Sequence, residues 1–182
     1  MKMVETGFEG LWVIEPSVFH DSRGFFFEGY NKSRFEAHGL EFDWIQDNQS
    51  HSKYGVIRGM HYQKAPFAQT KLIRVLQGAI LDVVVDLRKD QPTFGKTYAV
   101  ELSASNFLQL LVPKGFAHGF SVLSPSADVL YKCDNAYHKD SETGLRYDDP
   151  TLSIDWKIPA DSQVVSEKDM ILPVFSQADY GF

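Results

Sequence analysis

"KLIRVLQGAILDVVVDLR", residues 71–88, sets two short runs of strand formers on either side of Gly78. Similar runs lie outward in both directions, at residues 11–14, 24–30, 43–46, 54–62, 96–102, 107–112, 116–123 and 127–133. Gly, Pro and Asn punctuate them. Many short strands separated by turn residues point to a sandwich or a barrel. Helix signals are few. "NKSRFEAHGL" (31–40) is the best, with Asn31 or Ser33 as cap and Gly39 as stop. The fold class expected is all-β, a jelly-roll β-barrel with a few short helices.

At 182 residues the length predicts one domain spanning 1–182, able to bury most of its apolar surface. The 14 Phe, 8 Tyr and 3 Trp suggest an aromatic core rather than a Leu/Ala helix bundle. No apolar run approaches the ~20 residues of a membrane span, and "MKMVETGFEG" has no apolar signal core. The single cysteine, Cys133, excludes an intrachain disulfide and fits a reducing cytoplasm. A net charge of −6 argues against general nucleic-acid binding, which needs a basic face. It leaves room for an anionic small molecule, because a few cations in a cleft set the local field.

Strand parity assigns faces. In residues 127–133, Ala127, Val129, Tyr131 and Cys133 share one side, so Tyr131 is expected to point inward. Lys71 shares a side with Ile73 and Val75. An unpaired buried charge is strongly disfavoured, so Lys71 is either a functional residue or a strand start turned to water. "GVIRGMHYQ" (55–63) poses a related question, since Arg58 and His61 interrupt a run of good strand formers. Asp82, Asp86 and Arg88 alternate in a way that predicts an ion-paired, structural strand face.

The spacing His61, Gln63, Lys71, then "PKGFAHGF" (113–120) with His118, resembles the two motifs of the cupin superfamily. Those barrels hold a metal with two His, a Glu and a later His. Here Gln63 and Lys71 stand where a His and the Glu would be. A protonated lysine has no lone pair for a metal, so no catalytic metal and no cofactor are expected.

"FHDSRGFFFEGY" (19–30), "QDNQSHS" (46–52), "GVIRGMHYQ", "LDVVVDLRKDQPTFG" (81–95), "PKGFAHGF", "YKCDNAYH" (131–138), "YDDPTLSIDW" (147–156) and "SEKD" (166–169) occur in this order. Together they resemble the dTDP-4-dehydrorhamnose 3,5-epimerase family, over about residues 8–173. The resemblance implies inversion of C3 and C5 of a dTDP-linked 4-keto-6-deoxyhexose through enolates. It implies His61 as base, Asp169 as its carboxylate partner, Tyr131 as proton donor, and Lys71 with His118 at the sugar carbonyl. It places Arg23, Arg58 and Lys168 at the diphosphate and Tyr137 under the thymine. Glu28, Gln46, Asn48 and Glu142 match further positions that contact nucleotide or sugar. A homodimer exchanging amino-terminal strands is implied too, with Arg23 and Glu28 serving the neighbour's site.

Strict parity puts Arg58 and His61 on opposite faces. Either a bulge near Gly59 brings them together, or Arg58 serves a site edge or a partner subunit. Rival readings are a single-centre epimerase or ketoisomerase on a related dTDP-sugar, a non-catalytic carbohydrate-binding cupin, and a metal-dependent cupin oxygenase.

Overall fold

The computed structural model describes residues 1–182. Its strands are β1 (Lys2–Glu5), β2 (Trp12–Glu15), β3 (Phe19–Asp21), β4 (Gly24–Phe26), β5 (Gln46–Lys53), β6 (Val56–Gln63) and β7 (Lys71–Gln77). They continue with β8 (Ala79–Asp86), β9 (Thr97–Ser103), β10 (Gln109–Val112), β11 (Phe116–Val122), β12 (Ser126–Cys133), β13 (Glu142–Gly144) and β14 (Val164–Val165). The α-helices are short, α1 (Lys32–Glu36) and α2 (Glu167–Met170).

Two sheets face each other in a cupin-like jelly roll. One runs β1-β2-β10-β7-β12-β5, the other β13-β6-β11-β8-β9, with β14 parallel to β6. The core between them joins Ile73, Val75, Leu110 and Val129 of the first sheet to Ile80, Val84, Phe120 and Val122 of the second. Each outer face is covered as well. Residues 145–182 supply Leu145, Leu152, Trp156 and Tyr180 against Ile57, Leu81, Val83 and Val85. Phe35 of α1 packs on Ile14, Leu72 and Leu111. Being covered on both sides explains why β8 reads as a continuous apolar run.

Most expected strands are present, with ends shifted by one or two residues in either direction. The exception is the run 43–46. Strand β5 begins at Gln46 and carries the polar sequence QDNQSHSK as an edge of the first sheet. Its inward side faces a polar cavity rather than the core, so no apolar alternation marks it. The 24–30 run shortens to the β3–β4 hairpin, which stands apart from both sheets. Asn31 caps α1 by accepting from Arg34 N, and Gly39 follows at φ +73°.

Along β7, β11 and β12 the inward residues change from apolar to polar: Val75 and Ile73 to Lys71, Val122 and Phe120 to His118, Val129 to Tyr131. That polar end of the barrel is the site.

Candidate functional site

An open cavity of about 270 Å³ is lined by Asn48, Ser50, Arg58, His61, Lys71, His118, Tyr131, Tyr137 and Glu142, together with Gln69, Phe120 and Cys133. Inward parity of Tyr131 and Lys71 is therefore observed.

A bulge settles the Arg58–His61 conflict. Phe120 opposes Arg58 and His118 opposes His61, so β6 spends one more residue than β11 over this interval. The insertion shifts parity, and both side chains reach the cavity. Gly59 sits at φ +119°, and a Cβ there would meet Gly119 Cα at 2.5 Å and His118 O at 2.7 Å. Only glycine allows the two backbones so close.

The bulge also frees an amide. Gly59 N donates to Asp169 Oδ2 at 3.3 Å, while His61 Nε2 donates to Asp169 Oδ1 at 2.7 Å. Asp169 lies in α2, whose cap Ser166 accepts from Asp169 N at 3.1 Å. Burial pushes the Asp169 carboxyl up, but hydrogen bonds from His61, Gly59 and Ser166 and the His61 charge outweigh it. The net pKa is lowered. With Nε2 committed to a carboxylate, His61 Nδ1 carries the lone pair and has no protein partner.

Directly across the strand pair, His118 Nε2 lies 2.9 and 3.0 Å from the two oxygens of Asp82. The expected pairing along this strand face is corrected in its partner: Asp82 meets His118 across the sheet, not Arg88. It shares inward parity with Ile80 and Val84 and is fully buried under the site. Burial raises its pKa, against the opposing pull of His118 and Lys71. Its signal in the sequence is an acid on the core-facing parity of an apolar strand, which demands a partner. Asp86 does act structurally, held by Arg88 and Thr93.

Lys71 has no carboxylate within 4.0 Å, and burial lowers its pKa despite the opposing charges of Cys133, Asp82 and Glu142. It is a direct cross-strand neighbour of Cys133, a free buried thiol that sequence reasoning left outside the site. Tyr131 OH is 3.1 Å from Ser50 Oγ, and burial raises its pKa well above that of a free phenol. Arg58 Nε donates to Ser52 Oγ at 3.0 Å and meets no acid. Two cations without acid partners in one cavity make it a receptor for anionic charge.

At the rim, Tyr137 OH donates to Glu142 Oε2 at 2.9 Å, and Lys168 Nζ donates to the same oxygen. Burial would raise the Glu142 pKa, but Lys168 and Tyr137 hold it down. Gln46 Oε1 accepts from Tyr137 N at 2.9 Å, and Gln46 Nε2 donates to Asn48 Oδ1 at 2.9 Å. A neighbouring groove of about 390 Å³ shares Arg58 and His61 and adds Lys168 and Asp169.

Arg23 and Glu28 are not brought to this cavity within one chain. Arg23 pairs with its own hairpin's Asp21, and Glu28 with Arg34 at 3.1 Å. Gln63 is no open ligand position either, because its amide is spent on backbone. No group of three or more His, Cys, Asp or Glu side chains is arranged to hold a metal ion. No helix is long and apolar enough to cross a membrane.

Residues 5–177 match the family model described as dTDP-4-dehydrorhamnose 3,5-epimerase. A dTDP-4-dehydrorhamnose 3,5-epimerase of Shigella flexneri is 46% identical over 181 residues, 99% of each chain. The crystal structure of one from Elizabethkingia anophelis superposes with a TM-score of 0.95 at 52% identity, covering 99% of both chains. A Legionella pneumophila dTDP-6-deoxy-D-glucose-3,5-epimerase, solved in complex with dTDP-4-keto-L-rhamnose, gives 0.93 at 43% identity, covering 98% of this chain and 94% of that one.

Proposed function

The chain belongs to the dTDP-4-dehydrorhamnose 3,5-epimerase family, and we propose that His61, Asp169, Tyr131 and Lys71 carry its chemistry in the polar cavity of the barrel. The enzyme is an isomerase that epimerises dTDP-4-keto-6-deoxyglucose at C3 and C5, a step toward dTDP-L-rhamnose. Both carbons flank the C4 carbonyl, so either proton leaves to give an enolate. The reaction needs a base, a group for the oxyanion, and an acid on the opposite face.

His61 Nδ1 takes the proton, and Asp169 holds the ring and stabilises the imidazolium that results. Lys71 and His118 meet the enolate oxygen. A lysine whose pKa has been brought down gives up a proton more readily to such an oxygen. Tyr131 delivers a proton to the carbon from the other face, and its raised pKa ensures that it starts protonated. His61 then carries one proton more and Tyr131 one fewer. Exchange with water resets both. The observation that carries this reading is that His61, paired with Asp169 at 2.7 Å, lines the same cavity as Tyr131 and an acid-free Lys71.

Arg58 is assigned to the diphosphate and Tyr137 to the thymine ring, with Lys168, Glu142, Gln46, Asn48 and His118 completing the contacts. Residues 1–182 act as one domain, in the cytoplasm. Arg23 and Glu28 belong to the cavity of a second copy in a strand-exchanged homodimer. The hairpin bearing Arg23 exposes Phe19, Phe25 and Phe26 by 58–70%, an apolar surface that such a partner would cover.

NMR of dTDP-4-keto-6-deoxyglucose with the enzyme in deuterated water tests the activity. Deuterium at both C3 and C5 is expected. Label at one carbon alone would make it a single-centre epimerase, and binding without exchange would make it a carbohydrate-binding cupin.

A further inference from the structure

Gln63 ends β6, two residues past His61, and is only 5% exposed. All its hydrogen-bonding groups turn toward two loops at the cavity mouth. Nε2 donates to Phe67 O at 2.6 Å and to Ala136 O at 3.1 Å, and Oε1 accepts from His138 N at 2.7 Å. The last two contacts flank Tyr137, so one buried amide grips the backbone on both sides of that residue.

The two loops are joined to each other as well. Asn135 Nδ2 donates to Pro66 O at 3.0 Å, and Gln69 Nε2 donates to Asn135 O at 2.8 Å. The Phe67 and His138 rings stack at 3.8 Å with planes 3° apart. Gln63 lies under the centre of this arrangement. Leaving a buried amide half-satisfied is costly, so loops and amide hold one arrangement together.

The Tyr137 ring, by contrast, is half exposed and has one side-chain tether, the hydroxyl on Glu142. An aromatic ring that must be ordered when a ligand arrives loses affinity to that ordering. We propose that Gln63 is a positioning residue for nucleotide recognition, its buried amide clamping residues 136–138 so that the Tyr137 ring stands ready as a platform for the base. This rests on the assignment of Tyr137 to the thymine. The position that resembles a metal-ligand site has become a loop anchor.

The test titrates dTDP calorimetrically into the wild type, Gln63→Met, Gln63→Glu, Tyr137→Ala and the Gln63→Met/Tyr137→Ala double variant, with kcat and KM for each. Gln63→Met removes all the bonds at nearly constant length, and Gln63→Glu keeps the oxygen that receives His138 N. The dTDP Kd should rise about tenfold in Gln63→Met, with kcat at saturation within about threefold of wild type. In the double variant Gln63→Met should add almost nothing to the loss caused by Tyr137→Ala. Independent penalties, or a fall in kcat at unchanged Kd, would overturn the proposal. Unchanged Kd in Tyr137→Ala alone would overturn the thymine assignment and this inference with it. Weakened binding there but unaltered binding in both Gln63 variants would overturn only the inference. Hydrogen exchange on the wild type decides the matter even where variants misfold. The His138 amide should be protected before dTDP is added, and protection appearing only with dTDP would refute a preset platform.

Discussion

The cavity holds two imidazole–carboxylate pairs, built from facing positions of β6 and β11 yet in opposite environments. His61 and Asp169 sit at the rim, with side chains 27% and 5% exposed, and the carboxylate arrives from a short helix 108 residues along the chain. His118 and Asp82 are 5% and 0% exposed, and both belong to neighbouring strands of one sheet. The Asp169 pKa is held down by hydrogen bonds, whereas that of Asp82 is pushed up by burial. A pair that must take a proton and return it to water at every turnover needs access and a firmly ionised carboxylate. To present a donor to a developing oxyanion, His118 must carry its proton on Nδ1 while Nε2 accepts from a protonated Asp82, the form that burial favours, and such a pair can be sealed in. One fold thus derives a base and an oxyanion partner from the same residue types by placing them at different depths.

Substitution of the imidazoles should separate the pairs most widely. His61→Asn removes the base and is expected to lower kcat by about 10⁴, while His118→Asn removes an oxyanion donor and lowers it by about 10². Steady-state kinetics of both variants decides this; equal losses would erase the distinction. The carboxylates give a smaller contrast. Asp169→Asn should lower kcat by about 10³, through loss of the tautomer and orientation it imposes on His61. Asp82→Asn should cost about tenfold. Stability should move oppositely. A carboxyl whose pKa falls on folding stabilises the fold above its unfolded value near 3.9, and that contribution disappears as pH drops through the lower folded value. Asp169→Asn is therefore less stable than wild type at pH 7 by about 1 kcal/mol, with the gap closing below about pH 4. Asp82 has a raised pKa, so its ionised form opposes folding, and Asp82→Asn should melt no lower than wild type at pH 7. Chemical denaturation at the two pH values reads both signs.

How much of this was legible depended on what each residue leaves in its own neighbourhood. The alternation of β12 turned Tyr131 inward, and a lysine on the apolar parity of β7 marked Lys71, because both signals are local. The conflict between Arg58 and His61 was itself informative, since it required an inserted residue and Gly59 stood where one could fit. Asp169 left no local trace, because its meaning depends on a contact 108 residues away, and only the resemblance of "SEKD" pointed to it. Asp82 was misread for the opposite reason: the regular spacing of Asp82, Asp86 and Arg88 suggested mutual pairing. The register of β11 against β8 instead delivers His118 to Asp82 and leaves Arg88 to Asp86. Strand β5 escaped because its inward residues line a wet cavity, so the apolar period that reveals other strands is missing.

Lys71 lines the cavity with both imidazoles and offers the finest test of what the polar end of the barrel requires. It is desolvated without a carboxylate in contact, so its charged form is disfavoured by folding and its pKa is lowered. For a base lowered on folding, the unfolded chain binds the extra proton over the window from the folded pKa up to about 10.4, and stability rises with pH across it. Lys71→Met replaces the ammonium with an apolar side chain of similar length. It should stabilise the protein by about 1 kcal/mol at pH 7 while removing most activity. The advantage over wild type should shrink steadily as pH rises toward and past about 10.4, because the wild-type lysine then becomes neutral in both states. A variant that is less stable than wild type at pH 7 would mean that Lys71 is held by the fields of Asp82 and Glu142 more strongly than burial opposes it. The cavity would then be a matched ion cluster rather than a cation kept waiting for an enolate.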